Sequence, residues 1–233
     1  MSGPETYEVF AIRYGSVAER LRRDNFIIAP DHPTDPHDGE MPLDYFVWAI
    51  VNENRTIVVD TGFERTEGDK RGRTITRLPA EGLEIIGIDA AKIEDVIITH
   101  LHYDHAGTLD DFPAARFHLQ ESEMNYATGK HMCHEPFGHA YAPDHVCTMV
   151  RSVFDGRVAF HDGDAEVAPG ISVHWIGGHT AGVQCVRVLT KRGWVVLASD
   201  AAHFYENMEA IAPFPIVYSA ADMVQGYVKM RGL

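Results

Sequence analysis

The sequence predicts an α/β sandwich, with two β-sheets inside and helices outside. Three observations lead there. Short apolar runs of strand length recur along all 233 residues. Helical spacing is concentrated in two stretches between them, 74–88 and 121–154. And the apolar runs break off repeatedly at histidine or aspartate, which places polar side chains at strand ends. The length suits one domain, spanning 1–233.

"TYEVFAIRYGSV" (6–17) reads as the first strand. "NFIIAPDHPTDPHDGEMP" (25–42), rich in Pro, Asp and His, reads as a long loop. "LDYFVWAIVNENRTIVVDTGF" (43–63) reads as two strands joined by a turn at Asn52–Arg55, the second ending at Asp60. "TITRLPAEGLEIIGI" (74–88) has helical spacing. "DVIIT" (95–99) and "ARFHLQ" (115–120) are strands, followed by a 121–154 insert of helical pieces with His, Pro and aromatics. "GISVHWIGG" (170–178), "GVQCVRVLT" (182–190) and "WVVLASD" (194–200) supply three more strands.

The formal net charge of -14 argues against nucleic acid as a partner, and the densest basic stretch, "DKRGR" (69–73), is short. Three cysteines without a CxxC spacing are no disulfide framework. No apolar run approaches a membrane span, and "MSGPETYEVF" lacks the pattern of a signal peptide. A cytoplasmic protein without membrane partners is the expectation.

The chemistry is concentrated in "THLHYDHAG" (99–107), directly after a buried strand. Residues two apart in an extended segment point the same way, so His100 and His102 can reach one ion. Asp104 and His105, just beyond, can face a second position if the chain turns helical there. "IGGHTAGVQ" (176–184) adds His179 after a glycine pair, and "LASDAAHF" (197–204) adds Asp200. Asp60, His100, His102, His179 and Asp200 each follow an apolar run by one to three positions. Imidazole and carboxylate donors suit zinc, and also manganese, iron or cobalt.

"VVDTGF" (58–63), "THLHYDHAG", "GGHTAGVQ" (177–184) and "LASDAA" (197–202), in that order, resemble the metallo-β-lactamase-fold superfamily of hydrolases, and within it the N-acyl-homoserine lactonase group. The resemblance implies an αββα sandwich and two divalent metal ions, zinc first among them. His100, His102 and His179 would hold one ion, Asp104 and His105 the second, and Asp200 would bridge. Asp60 would sit behind the ligands and orient them. The implied reaction is the opening of a small-molecule lactone by a hydroxide shared between the metals. Asp104 would carry a proton to the leaving alkoxide, and His203 would donate a hydrogen bond to the oxyanion.

Two departures accompany the resemblance. The family's last histidine for the second ion, in a Gly-His-Asp setting near the C-terminus, has no counterpart in "VQGYVKMRGL" (224–233). And His203 stands where the lactonases carry a tyrosine. On the same core, a glyoxalase-II-like thioesterase or an amide or β-lactam hydrolase is the alternative, and a catalytically impaired metal-binding protein the non-enzymatic one. The acidic charge disfavours a nuclease, and there is no room for a flavodiiron protein's flavin domain.

The remaining histidines receive blander roles. His131, His134, His139 and His145, with Phe137 and Tyr141, are expected to form a lid over the cleft. His32 and His37 in the 25–42 loop are candidates to reach it. His118, His161 and His174 read as surface or satisfied residues, and Met124, Met132, Met149 and Cys185 as core. "APFPIVYSA" (212–220) is a candidate apolar contact surface for a homodimer.

Overall fold

The computed structural model describes residues 5–28 and 38–233, so His32 and His37 lie outside the described residues. A seven-stranded sheet runs in the order β4-β1-β2-β3-β5-β6-β7. Its strands are β1 (Glu8–Val17), β2 (Leu43–Val51), β3 (Thr56–Val59), β4 (Thr74–Ile75), β5 (Asp95–Ile97), β6 (Arg116–Gln120) and β7 (Val158–His161). A four-stranded antiparallel sheet runs β11-β10-β9-β8, with β8 (Ala165–Ala168), β9 (Ile171–Trp175), β10 (Gln184–Thr190) and β11 (Gly193–Leu197). The helices are α1 (Arg65–Lys70), α2 (Pro79–Ile85), α3 (Glu121–Ala127), α4 (Glu135–Gly138), α5 (Pro143–Phe154), α6 (Tyr205–Glu209) and α7 (Ala220–Met230).

Strand alternation sorts the apolar side chains into three layers. Ile50, Ile57, Val59 and Ile97 from one sheet meet Ile171, Val173, Val186 and Val188 from the other. Val47, Ala49, Val58 and Val96, which alternate with them, face outward against Leu83 of α2 and Val146 and Met149 of α5. Cys185 faces outward from the smaller sheet and packs with Met223 and Tyr227 of α7. The result is the expected helix–sheet–sheet–helix sandwich.

β3, β5 and β6 pair in parallel, with Val59 opposite Ile97. Their C-terminal ends therefore leave the sheet at one edge, and Asp60 and His100 emerge there together. The smaller sheet delivers His179 after β9 and Asp200 after β11 to the same edge.

Four stretches differ from the sequence expectation. The helix expected over 74–88 exists only from Pro79. Proline favours an extended residue before it, Leu78 has φ -75° and ψ 152°, and Thr74 and Ile75 pair with β1 instead. β7 and β8 are only four residues each, too short for periodicity to mark. α7 carries an N-cap, with Ser219 Oγ accepting from Asp222 N at 3.3 Å, but was not read from the sequence. And only part of "APFPIVYSA" lies on the surface: Phe214 is fully buried and Ile216 packs against the α7 layer, while Pro215, Tyr218 and Ala220 are exposed.

α7 docks on a glycine. Gly178 O accepts from Tyr218 N at 2.8 Å and Ser219 N at 2.9 Å. Gly178 has φ +90°, and a Cβ there would lie 2.4 Å from Met223 N. Gly178→Ala combines left-handed strain with a backbone collision, and is expected to destabilise by about 3 kcal/mol. Urea denaturation followed by far-UV circular dichroism measures it; an unchanged midpoint contradicts this account of the α7 contact.

Candidate metal centre

The chain leaves β3 through a strained residue, Asp60, at φ +63°. That turn aims the carboxylate back under the next strand. Asp60 Oδ1 accepts from Thr99 N at 2.7 Å, and Oδ2 accepts from Thr99 Oγ1 at 2.8 Å. The same Oδ2 lies 2.8 Å from His105 Nδ1. This contact commits His105 Nδ1 and leaves Nε2 facing the site, as expected for a residue that orients ligands.

His100, His102 and His179 converge. His179 Nε2 lies 3.1 Å from His100 Nε2 and 2.9 Å from His102 Nδ1. His179 Nδ1 is 2.7 Å from the Ile216 carbonyl, which requires the proton on that nitrogen. Its Nε2 lone pair then points at two other ring nitrogens. With each ring neutral and its proton on the far nitrogen, the three buried imidazoles present lone pairs to one shared space, an arrangement that suits a cation between them. The donor set therefore fits a metal.

Asp200 joins this set to its neighbour. Its Oδ2 is 3.4 Å from His179 Nε2, and its Oδ1 is 3.3 Å from His105 Nε2. Two further donor groups result, His100–His105–Asp200 and His179–Asp200–His203. Asp104 lies next to them, with Oδ2 3.7 Å from His105 Nε2. Its main chain is pinned from behind, because Tyr14 Oη donates to Asp104 O at 2.7 Å. Asp200 follows Ser199, a second non-glycine residue at positive φ (48°). Ser199 Oγ is 2.9 Å from Thr99 Oγ1, which links the two strained turns.

The electrostatics separate the groups. Burial, followed by the charges of neighbouring imidazoles, holds His100 and His102 well below the usual histidine range. Burial lowers His179 to about 4. These rings are neutral at neutral pH, the form that ligates. Burial also works against a proton on His105, but Asp200, Asp104 and Asp60 outweigh it and raise that ring well above the usual range. Burial pushes the Asp104 carboxyl up. Burial acts the same way on Asp200, yet His105 and His203 overcome it and hold that carboxylate well below its usual value.

Five of the six sequence-predicted ligand residues, His100, His102, His105, His179 and Asp200, fall into these donor groups together with His203, and Asp104 lies beside them. His203 Nε2 faces Asp200 Oδ2 at 3.0 Å, and its ring stacks on Phe214 at 3.6 Å. Nε2 is thus engaged by a carboxylate, while Nδ1 is buried without a hydrogen-bond partner among the described residues. Tyr205 is 81% exposed at the rim. The cluster opens into a cavity of about 800 Å³. The 121–154 insert contributes only His139 and Ala140 to its wall, so the expected aromatic lid is not what the insert forms. Phe137 packs on His131, and Tyr126 and His131 pack on Tyr218. Met149 is core, with Met124 and Met132 packed against the same cluster.

Glu123 escaped the sequence reading. It is fully buried in α3, and it accepts four hydrogen bonds. Leu101 N (2.9 Å) and Tyr141 Oη (2.9 Å) donate to Oε1; Thr180 Oγ1 (2.6 Å) and Gly182 N (3.1 Å) donate to Oε2. Burial raises its carboxyl, and the four donors oppose that shift. "ESEMNY" (121–126) carries no local signal that would single this acid out.

A two-sheet sandwich with a histidine–carboxylate cluster at one sheet edge defines the metallo-β-lactamase class of fold. The chain belongs to the metallo-beta-lactamase superfamily, whose profile matches residues 41–225. An N-acyl homoserine lactonase of Bacillus sp. is 28% identical over 193 residues, covering 76% of this chain and 71% of the relative. One from Bacillus cereus is 26% identical over 189 residues, covering 74% and 69%. A solved quorum-quenching N-acyl homoserine lactone lactonase superposes with TM-score 0.78 at 20% identity, covering 99% of this chain and 88% of that one. The dizinc quorum-quenching lactonase AidC superposes with TM-score 0.72 at 15% identity, covering 98% and 84%. No helix among the described residues is long and apolar enough to cross a membrane.

Glu123→Gln places an amide NH₂ against donors that need an acceptor. It is expected to destabilise by about 3 kcal/mol and to lower metal content per chain. Urea denaturation and elemental analysis on one preparation check both; retention of full stability and full metal loading contradicts the assignment.

Proposed function

We infer that this protein is a metal-dependent hydrolase that opens the ester bond of a lactone. The observation that carries this is Asp200, whose two oxygens face two different histidine sets at the base of the cavity. The lactonase relatives support the choice of a ring ester over other acyl compounds.

His100, His102 and His179 would hold one divalent cation, and Asp104 and His105 a second, with Asp200 shared; the borderline donor set favours zinc. Such a pair, when bound, supplies carbonyl polarisation and a water acidic enough to ionise near neutral pH. The chain's own residues do the rest. Asp60 fixes the His105 ring through Nδ1, and Ile216 O fixes His179 through its own Nδ1. His203 Nε2 braces Asp200 Oδ2, and Phe214 braces the His203 ring, so His203 positions rather than contacts substrate. Asp104 borders the cavity and is the group placed to take a proton and return it to the leaving alkoxide. Burial raises its carboxyl, the direction that task needs.

Purified protein with its metal content measured should open γ-lactones, followed by acid release at constant pH. Turnover should exceed that of matched thioesters and β-lactams by about tenfold or more. A chelator should abolish it. His179→Ala should lose metal and lower kcat/KM by roughly 100-fold or more. Full lactone turnover by metal-free protein overturns the proposal, and a preference for thioesters moves the chain to the glyoxalase-II type of reaction.

A further inference from the structure

The cavity wall carries an arginine that opening a lactone ring does not require. Arg73, half-buried, borders the cavity. Its Nε donates to Tyr103 Oη at 3.1 Å, and Tyr103 Oη lies 3.3 Å from Tyr45 Oη. Its two terminal nitrogens have no hydrogen-bond or ion-pair partner among the described residues.

The neighbouring charges are already engaged. Arg71 bonds Glu67 Oε1 at 2.5 Å and the His139 carbonyl at 2.7 Å, with its guanidinium 4.0 Å over the Tyr103 ring. Asp44, an acid of this wall, pairs with Arg13 at 3.1 Å. Asp104 acts on Arg73 through its charge, but its Oδ2 is turned toward His105. Arg73 is thus a permanent cation with a free edge facing a cavity, in a chain whose formal net charge is -14. Two terminal N–H groups side by side match the two oxygens of a planar carboxylate. Two tyrosine hydroxyls that share one mutual hydrogen bond leave one O–H over, on the same cavity wall as Arg73.

We propose that the cavity takes a lactone bearing a carboxylate, seated on the terminal nitrogens of Arg73 beside the Tyr45–Tyr103 hydroxyl pair. This rests on the lactone reading above and narrows it, because a neutral acyl lactone leaves the guanidinium unpaired.

Metal-loaded wild type, Arg73→Gln and Arg73→Lys are compared on 5-oxotetrahydrofuran-2-carboxylate and its methyl ester, with the γ-lactone opening followed for each. Binding of tetrahydrofuran-2-carboxylate, which has the ring and carboxylate but no ester, is titrated calorimetrically. Wild type should prefer the carboxylate over the methyl ester by about tenfold or more in kcat/KM. In Arg73→Gln that ratio should fall by about tenfold or more through KM, and Arg73→Lys should restore part of it. The ether carboxylate should bind wild type about tenfold or more tightly than Arg73→Gln. An equal ratio in wild type and Arg73→Gln, or equal binding of the ether carboxylate, overturns the subsite. If neither lactone opens, the lactone reading fails, while the ether-carboxylate titration still decides whether Arg73 seats a carboxylate.

Discussion

The Glu123 carboxylate ties together segments that the chain separates by about eighty positions. Through Leu101 N it holds the backbone between His100 and His102; through Thr180 Oγ1 and Gly182 N it holds the loop after His179. The histidine nitrogens on either side of that tie meet at 2.9 and 3.1 Å. A buried charge with four donors is expensive to move, because any displacement leaves both the carboxylate and its donors unpaired. Gly182 shows how tight the junction is: a Cβ there would lie 2.2 Å from Glu123 N.

The opposite side of the cluster is held by strain matched against hydrogen bonds. Asp60 and Ser199 both adopt positive φ, each at an energetic cost of about 1–3 kcal/mol. Thr99 Oγ1 contacts both side chains, and the Asp60 carboxylate also fixes His105. Relaxing either turn would therefore release the histidine ring and break a buried hydroxyl–carboxylate network. The strain persists because its surroundings over-determine it.

What the sequence revealed follows from how local each signal is. His100, His102, Asp104 and His105 share six residues behind an apolar run, so their chemistry was legible at once. Asp60, His179 and Asp200 were legible because each ends a strand. The two-sheet architecture followed from the number of short strands and the sparse helical spacing. Glu123 was hidden because its partners come from three other segments, and an acid at the start of a helix is ordinary. His203 was legible by position but its contacts were not, since spacing alone could not reveal that Phe214 and Asp200 would hold its ring. Arg73 sat inside "DKRGR", where nothing distinguishes an arginine lining a cavity from one in solvent. Pro79 shortened a helix whose periodicity began five residues earlier.

The cluster draws its side chains from both sheets: Asp60 and His100–His105 from the larger, His179 and Asp200 from the smaller. Its geometry is therefore a measure of how the two sheets sit against each other. The layer between them is built of close-packed branched side chains such as Ile57, Val59, Val186 and Val188, which resist gradual deformation. A slide of one sheet over the other by a fraction of an ångström would part the nitrogens of His100 and His102 from that of His179 while leaving every loop intact. Conservative exchanges deep in this oily seam, with no polar atom near the cluster, can thus detune it as a shim detunes a gauge.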